Sequence, residues 1–99
     1  MKDIILTKLY NDPIYKFSVV VDNKKIKFGR KPYLDFLQHK DSERRNRYIA
    51  RHQHNENWTK TGLKTKGFWS RHLLWGDSPN IMQAIKDIEN KFNVNIKYI

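Results

Sequence analysis

Ninety-nine residues, 38% of them hydrophobic, can close one small core and not two, and three Trp, five Tyr and five Phe give that core bulky members. The chain has no cysteine, which excludes a disulfide framework and a thiolate metal site, and no apolar run approaches the length of about 18 residues that a membrane span needs. Its formal charge of +10 predicts a polyanionic partner, nucleic acid first and an anionic membrane only after it.

Ile4 to Tyr10 mixes β-branched and polar side chains and stops at the turn signal Asn11-Asp12-Pro13, which predicts a first strand. Tyr15, Phe17, Val19 and Val21 alternate with polar or smaller residues, and Lys24, Ile26 and Phe28 alternate with Lys25 and Lys27. With Asp22-Asn23 as a two-residue turn, Val21 faces Lys24, Val19 faces Ile26 and Phe17 faces Phe28, so the apolar positions share one face. Gly29 ends this hairpin, and Pro32 is expected to open a short helical segment in which Tyr33, Phe36 and Leu37 stack on one side.

A helix is expected from Asp41 to Gln53, with Asp41 as N-cap and Ser42 and Glu43 in the first turn. At about 100° per residue, Tyr48, Ile49 and His52 share a packing side, and Arg44, Arg47 and Arg51 fall within an arc of roughly 60° beside it. Asp41 with Arg45 and Glu43 with Arg47 are i,i+4 pairs, which leaves Arg44 and Arg51 without a partner, about 10 Å apart along the axis and within reach of successive phosphates. A merely solvated charged face is the plain alternative for this segment alone.

From His54 to Lys66 the chain is polar and reads as a mobile loop with a contact role. Gly67 to Trp75 reads as a short helix closed by Gly76, with Phe68, Trp69, His72 and Trp75 on its apolar side. Ser78-Pro79 marks the start of a last helix, whose stripe Ile81, Ile85, Ile88 and Phe92 ends at Asn93. Val94, Ile96 and Tyr98 then alternate as a strand added to the hairpin sheet. The predicted architecture is a single α+β domain over residues 1–99: a small antiparallel sheet, made of the hairpin plus terminal strands, packed against about three helices near 41–53, 67–75 and 79–92.

The charge is unevenly placed. Residues 24–71 hold eight Lys and six Arg against Asp35, Asp41, Glu43 and Glu56, whereas six Lys balance six acids in the flanks, so the middle carries the whole net charge. The expected nucleic-acid contacts are Arg44, Arg47, Arg51 and Lys40 around the arginine helix, Lys24, Lys25 and Lys27 on the hairpin, Lys60, Lys64 and Lys66 in the polar loop, and Arg71. No set of residues reads as a base-edge code, so backbone contact with little sequence preference is expected. The rival is docking on an acidic protein surface by the same arginines.

His39, Asp41, Glu43 and His52 offer a third reading, a metal-dependent nuclease, but His52-x-His54 straddles a helix end and no other His stands at a ligand spacing. The sequence contains no Ser/His/Asp signature, phosphate-binding glycine loop or dinucleotide pattern, so no catalytic residue, metal ligand or cofactor is assigned. Exposed Trp or Tyr would stack on unpaired bases, but the core needs most of them, and Trp58 is the one least committed to it.

KKIKFGRKPYLDFLQHKDSERRNRYIARH, then ENW, then GFWSRHLLWG, resembles a family of small uncharacterised basic proteins encoded by large nucleocytoplasmic DNA viruses, the mimivirus-like giant viruses, and by some algae. In that pattern a strand ending Phe-Gly leads to Tyr-x-Asp, His-Lys-Asp, an Arg/Lys-rich helix ending Arg-His, and a late Trp-Ser and Leu-Trp. The resemblance covers about residues 24–76 and falls on Tyr33, Asp35, His39, Lys40, Asp41, Glu43, Arg44, Tyr48, Arg51, His52, Trp58, Gly67, Trp69 and Trp75. It implies a viral setting and no mechanism: an intracellular place in the infected host, in a viral factory or the nucleus, or the virion interior, and not secretion.

Overall fold

The computed structural model describes residues 1–99 as four strands and four helices, an α+β domain. Strands β1 (Lys2–Lys8), β2 (Tyr15–Val21), β3 (Lys24–Arg30) and β4 (Val94–Tyr98) form one sheet in the order β3-β2-β1-β4. The hairpin has the expected register, with Val21 opposite Lys24, Val19 opposite Ile26 and Phe17 opposite Phe28. Asp22 and Asn23 both take positive φ, 49° and 67°, the left-handed pair a two-residue hairpin turn requires and Asp and Asn tolerate.

The sheet is mixed rather than wholly antiparallel. β1 pairs antiparallel with β2 but parallel with β4, Ile4 lying opposite Ile96. The last helix leads into this pairing: α4 (Ile81–Phe92) packs its apolar stripe into the core, and its left-handed cap, Asn93 at φ 53°, turns the chain into β4 beside β1.

One face of the sheet presents Ile4, Leu6, Phe17, Val19, Ile26, Phe28, Val94 and Ile96, all buried, and the alternate positions Asp3, Ile5, Lys25, Lys27, Asn95 and Lys97 are exposed. Against the apolar face lie Phe68, Trp69, Leu73 and Leu74 and the stripe Ala84, Ile85, Ile88 and Phe92 of α4. Trp69 is fully buried, and its indole N–H donates to Leu63 O at 2.8 Å, which satisfies that donor inside the core.

Several boundaries move for local reasons. No helix begins at Pro32. The Lys31 N–H donates to Ile14 O at 2.7 Å, prolonging the strand pairing, and α1 is confined to Phe36–His39 behind Asp35; Tyr33 is consequently outside the core. α4 starts at Ile81 and not at Pro79, since the Asn80 side chain supplies the cap by accepting from the Gln83 N–H at 3.1 Å. The third helix has two parts: α3 (Lys66–Trp69) passes into one π turn over Ser70–Leu74, closed by the Trp75 N–H on Ser70 O. The 54–66 stretch contains a 3₁₀ turn, Lys60–Gly62, knitted by hydrogen bonds among Asn57, Thr59 and Thr61.

Candidate nucleic-acid interface

The second helix, α2 (Ser42–His52), is capped as its sequence predicts: the Asp41 side chain accepts from the Glu43 N–H at 3.0 Å and the Arg44 N–H at 3.3 Å, which holds its carboxyl below the usual range. Tyr48 anchors the helix. Its ring stacks on Trp75 at 4.5 Å, 2° from coplanar, and on His52 at 4.4 Å; burial pushes its phenol well above the ordinary value, with Glu56 adding to the shift. Arg45 clamps the other side, donating from Nε to Gly76 O at 2.6 Å and pairing with Asp77, its guanidinium 5.7 Å from the Phe36 ring. The expected Asp41–Arg45 and Glu43–Arg47 pairs are not made. Asp41 is occupied by the helix N-terminus, and the aromatic stack turns Arg45 toward residues 76 and 77.

This orientation aims Arg44, Arg47 and Arg51 into one cleft of about 580 Å³. Arg30, Tyr33 and Leu34 also line it, together with the buried Asp35 and with Ser70, Leu74 and Trp75 behind the stack. Gly29 sits there at φ +76°, where an added Cβ would lie 2.9 Å from Leu74 Cδ1, so glycine is the residue that turns the strand end beside the cleft without strain. Arg30, Arg44, Arg47 and Arg51 form no ion pair and no side-chain hydrogen bond. The fifth cation, Lys16, is neutralised by Asp35 at 2.8 Å. Four arginine charges in one concavity are therefore uncompensated, an arrangement that attracts and bidentately grips phosphate or carboxylate.

Lys16 also forms a wall. Its ammonium donates to Asp35 Oδ2 at 2.8 Å, Gln38 Oε1 at 2.7 Å and the Tyr33 carbonyl, fastening the 33–38 segment to β2. Behind it lies a second cleft of about 590 Å³, lined among others by Lys8, Tyr10, Lys31, Lys40 and Tyr98.

The other expected contacts are dispersed. Lys27 pairs with Asp12 and Lys64 with Asp22, while Lys66 donates to the Tyr15 hydroxyl. Lys24 reaches Lys64 O at 3.4 Å. Arg71 is half-buried, donates to Trp75 O at 2.8 Å and lies 5.4 Å from the Trp58 ring, so it holds the fold together instead of facing a ligand. Lys25, Lys40 and Lys60 are exposed and form no ion pair, but none lines the arginine cleft. Arg30 and Tyr33 are the cleft residues that the sequence did not single out for binding; an arginine directly after the strand-ending Gly29 was the available signal for the first.

His39, Asp41, Glu43 and His52 do not converge. The His39 ring lies against Trp75 and Phe36 with Nδ1 accepting from the Asp41 N–H, His52 stacks on Tyr48 near Glu56, and no group of three or more His, Asp or Glu side chains is placed to hold a metal ion. No helix is long and apolar enough to cross a membrane.

Residues 9–52, under half of the chain, match a family described only as a family of unknown function, DUF5754. The matched stretch runs from the end of β1 to the end of α2 and contains Arg30, Tyr33, Asp35, Arg44, Arg47 and Arg51. No curated protein and no solved structure matches the chain.

Proposed function

We propose that this protein binds nucleic acid through the phosphate backbone with little sequence preference. The observation that carries the reading is the convergence of four unpaired arginines on a single cleft, in a chain whose whole net charge lies between residues 24 and 71. Arginine forks match phosphate geometry, and few lining groups other than these cations are suited to reading a base edge, so affinity should be modest, salt-sensitive and similar across sequences. The setting we propose, on the sequence resemblance, is the interior of a virus-infected cell or the virion itself.

An acidic protein surface is the rival ligand, favoured by the apolar exposure of Tyr33 and Leu34 beside the arginines, a combination common at protein interfaces. Fluorescence-anisotropy titrations of the full chain at several salt concentrations separate the two. Nucleic-acid binding should fall linearly in log–log terms, by about 0.9 per phosphate neutralised on duplex and about 0.7 on a single strand, and should strengthen with polymer length. Equal affinity for poly-glutamate of matched charge would support the rival.

A further inference from the structure

We propose that the nucleic acid held in the arginine cleft is single-stranded, with a base stacked on Tyr33 while its phosphates lie along Arg44, Arg47 and Arg51. The inference rests on the nucleic-acid reading above and adds the strandedness of the ligand and the residue that selects it.

Three observations carry it. The first is shape: the α2 arginines line a half-open cleft of about 580 Å³ together with Arg30, Tyr33 and Leu34. Such a space receives one nucleotide-sized body, whereas a duplex would rest on the rim with its backbones outside. The second is the economy of aromatic burial. Of thirteen aromatic side chains only Tyr10 and Tyr33 are exposed, at 78% and 70%, and each lines one of the two adjoining clefts. An aromatic ring left in water beside a row of cations is the arrangement by which sequence-tolerant single-strand binders hold bases. The third is preorganisation: the Lys16 ammonium bonds the Tyr33 carbonyl while paired with buried Asp35, so the backbone carrying the ring is pinned before any ligand arrives. Beyond the Lys16 wall, Tyr10 has Lys8 5.4 Å from its ring and the unpaired Lys40 in the same cleft, which provides a second platform for a strand leaving the first.

The test compares anisotropy of the full chain with labelled oligo(dT) and oligo(U) of about 12 nucleotides, the corresponding duplex, and poly-glutamate as competitor. Wild type should prefer the single strand. Tyr33→Ala should weaken single-strand binding about 5- to 100-fold and leave duplex binding unchanged, while Tyr33→Phe, which keeps the ring, stays within about twofold of wild type. The side chain is exposed, so neither substitution touches the core. If duplex binds as tightly as the single strand, or if Tyr33→Ala leaves single-strand affinity unchanged, the strandedness inference is overturned while salt-dependent nucleic-acid binding stands. If poly-glutamate displaces the oligonucleotides at equal charge concentration, the nucleic-acid reading falls with it.

Discussion

Replacing Lys16 by Met removes the ammonium that joins β2 to the 33–38 segment. It keeps most of the side chain's apolar stem, so the change isolates the charge. Asp35 is only 4% exposed, and its Oδ1 already lacks a hydrogen-bond partner. Without Lys16, Oδ2 loses its ion pair, Gln38 Oε1 loses a donor and the Tyr33 carbonyl loses another. Breaking a buried pair from one side costs about 3–5 kcal/mol, because it leaves the other charge buried without a partner. A small domain has a total stability of about 5–15 kcal/mol, so the loss should be plain in urea unfolding followed by tryptophan fluorescence. Lys16→Met combined with Asp35→Asn, which removes both charges, should recover at least about 2 kcal/mol of it. If Lys16→Met alone costs under about 1 kcal/mol, the pair behaves as an ordinary surface ion pair, and the claim that it holds the wall between the two clefts is refuted.

Two further perturbations probe the scaffold of the site. His72 is packed against Phe68 and Phe92, and burial first, with Arg71 adding, pushes its imidazole down to about 4, although the hydrogen bond to Trp58 O acts the other way. A histidine whose folded value is depressed contributes stability that is complete above its unfolded value near 6.5 and is lost as pH falls toward 4, because the unfolded chain takes up the proton first. His72→Gln should flatten the decline in urea stability between pH 6.5 and 4, by on the order of 2 kcal/mol after discounting for partial exposure; an unchanged decline would show that His72 is not the group responsible. Gly29→Ala places a Cβ against Leu74 at φ +76° and should cost about 1–3 kcal/mol; an unchanged urea midpoint would mean that the strand end is not held in that conformation.

Features encoded by neighbours in sequence were legible before the structure. Alternation of Phe17, Val19 and Val21 with Ile26 and Phe28, across a turn of two residues that accept positive φ, determines the hairpin register. Asp41 as cap and the three-four spacing of Arg44, Arg47 and Arg51 determine α2 and bring its arginines into a common cleft. The α4 stripe was equally plain, though not its start, because Asn80 displaced Pro79 from the first turn by offering a side-chain acceptor to Gln83. What escaped depends on partners distant in the chain. Arg45 finds Asp77 and not Asp41, Lys16 finds Asp35 across nineteen residues, and β4 lies parallel to β1 at the far end of the chain. Tyr33 shares one side of the expected Pro32 helix with Phe36 and Leu37, and only the strand pairing continued through Lys31 leaves it outside the core.

The central claim, that the four arginines in the cleft grip phosphates, is tested most directly by the salt dependence of oligonucleotide binding in matched charge-deletion pairs. Arg44→Ala with Arg51→Ala removes two cations from the cleft; Lys86→Ala with Lys91→Ala removes two from α4, outside it. The arginine pair should weaken binding similarly on unrelated sequences and reduce the slope of log affinity against log salt by about one to two, while the lysine pair leaves that slope nearly unchanged. Equal losses in both pairs would mean that net charge alone drives binding, and no loss in either would contradict the assignment of the cleft.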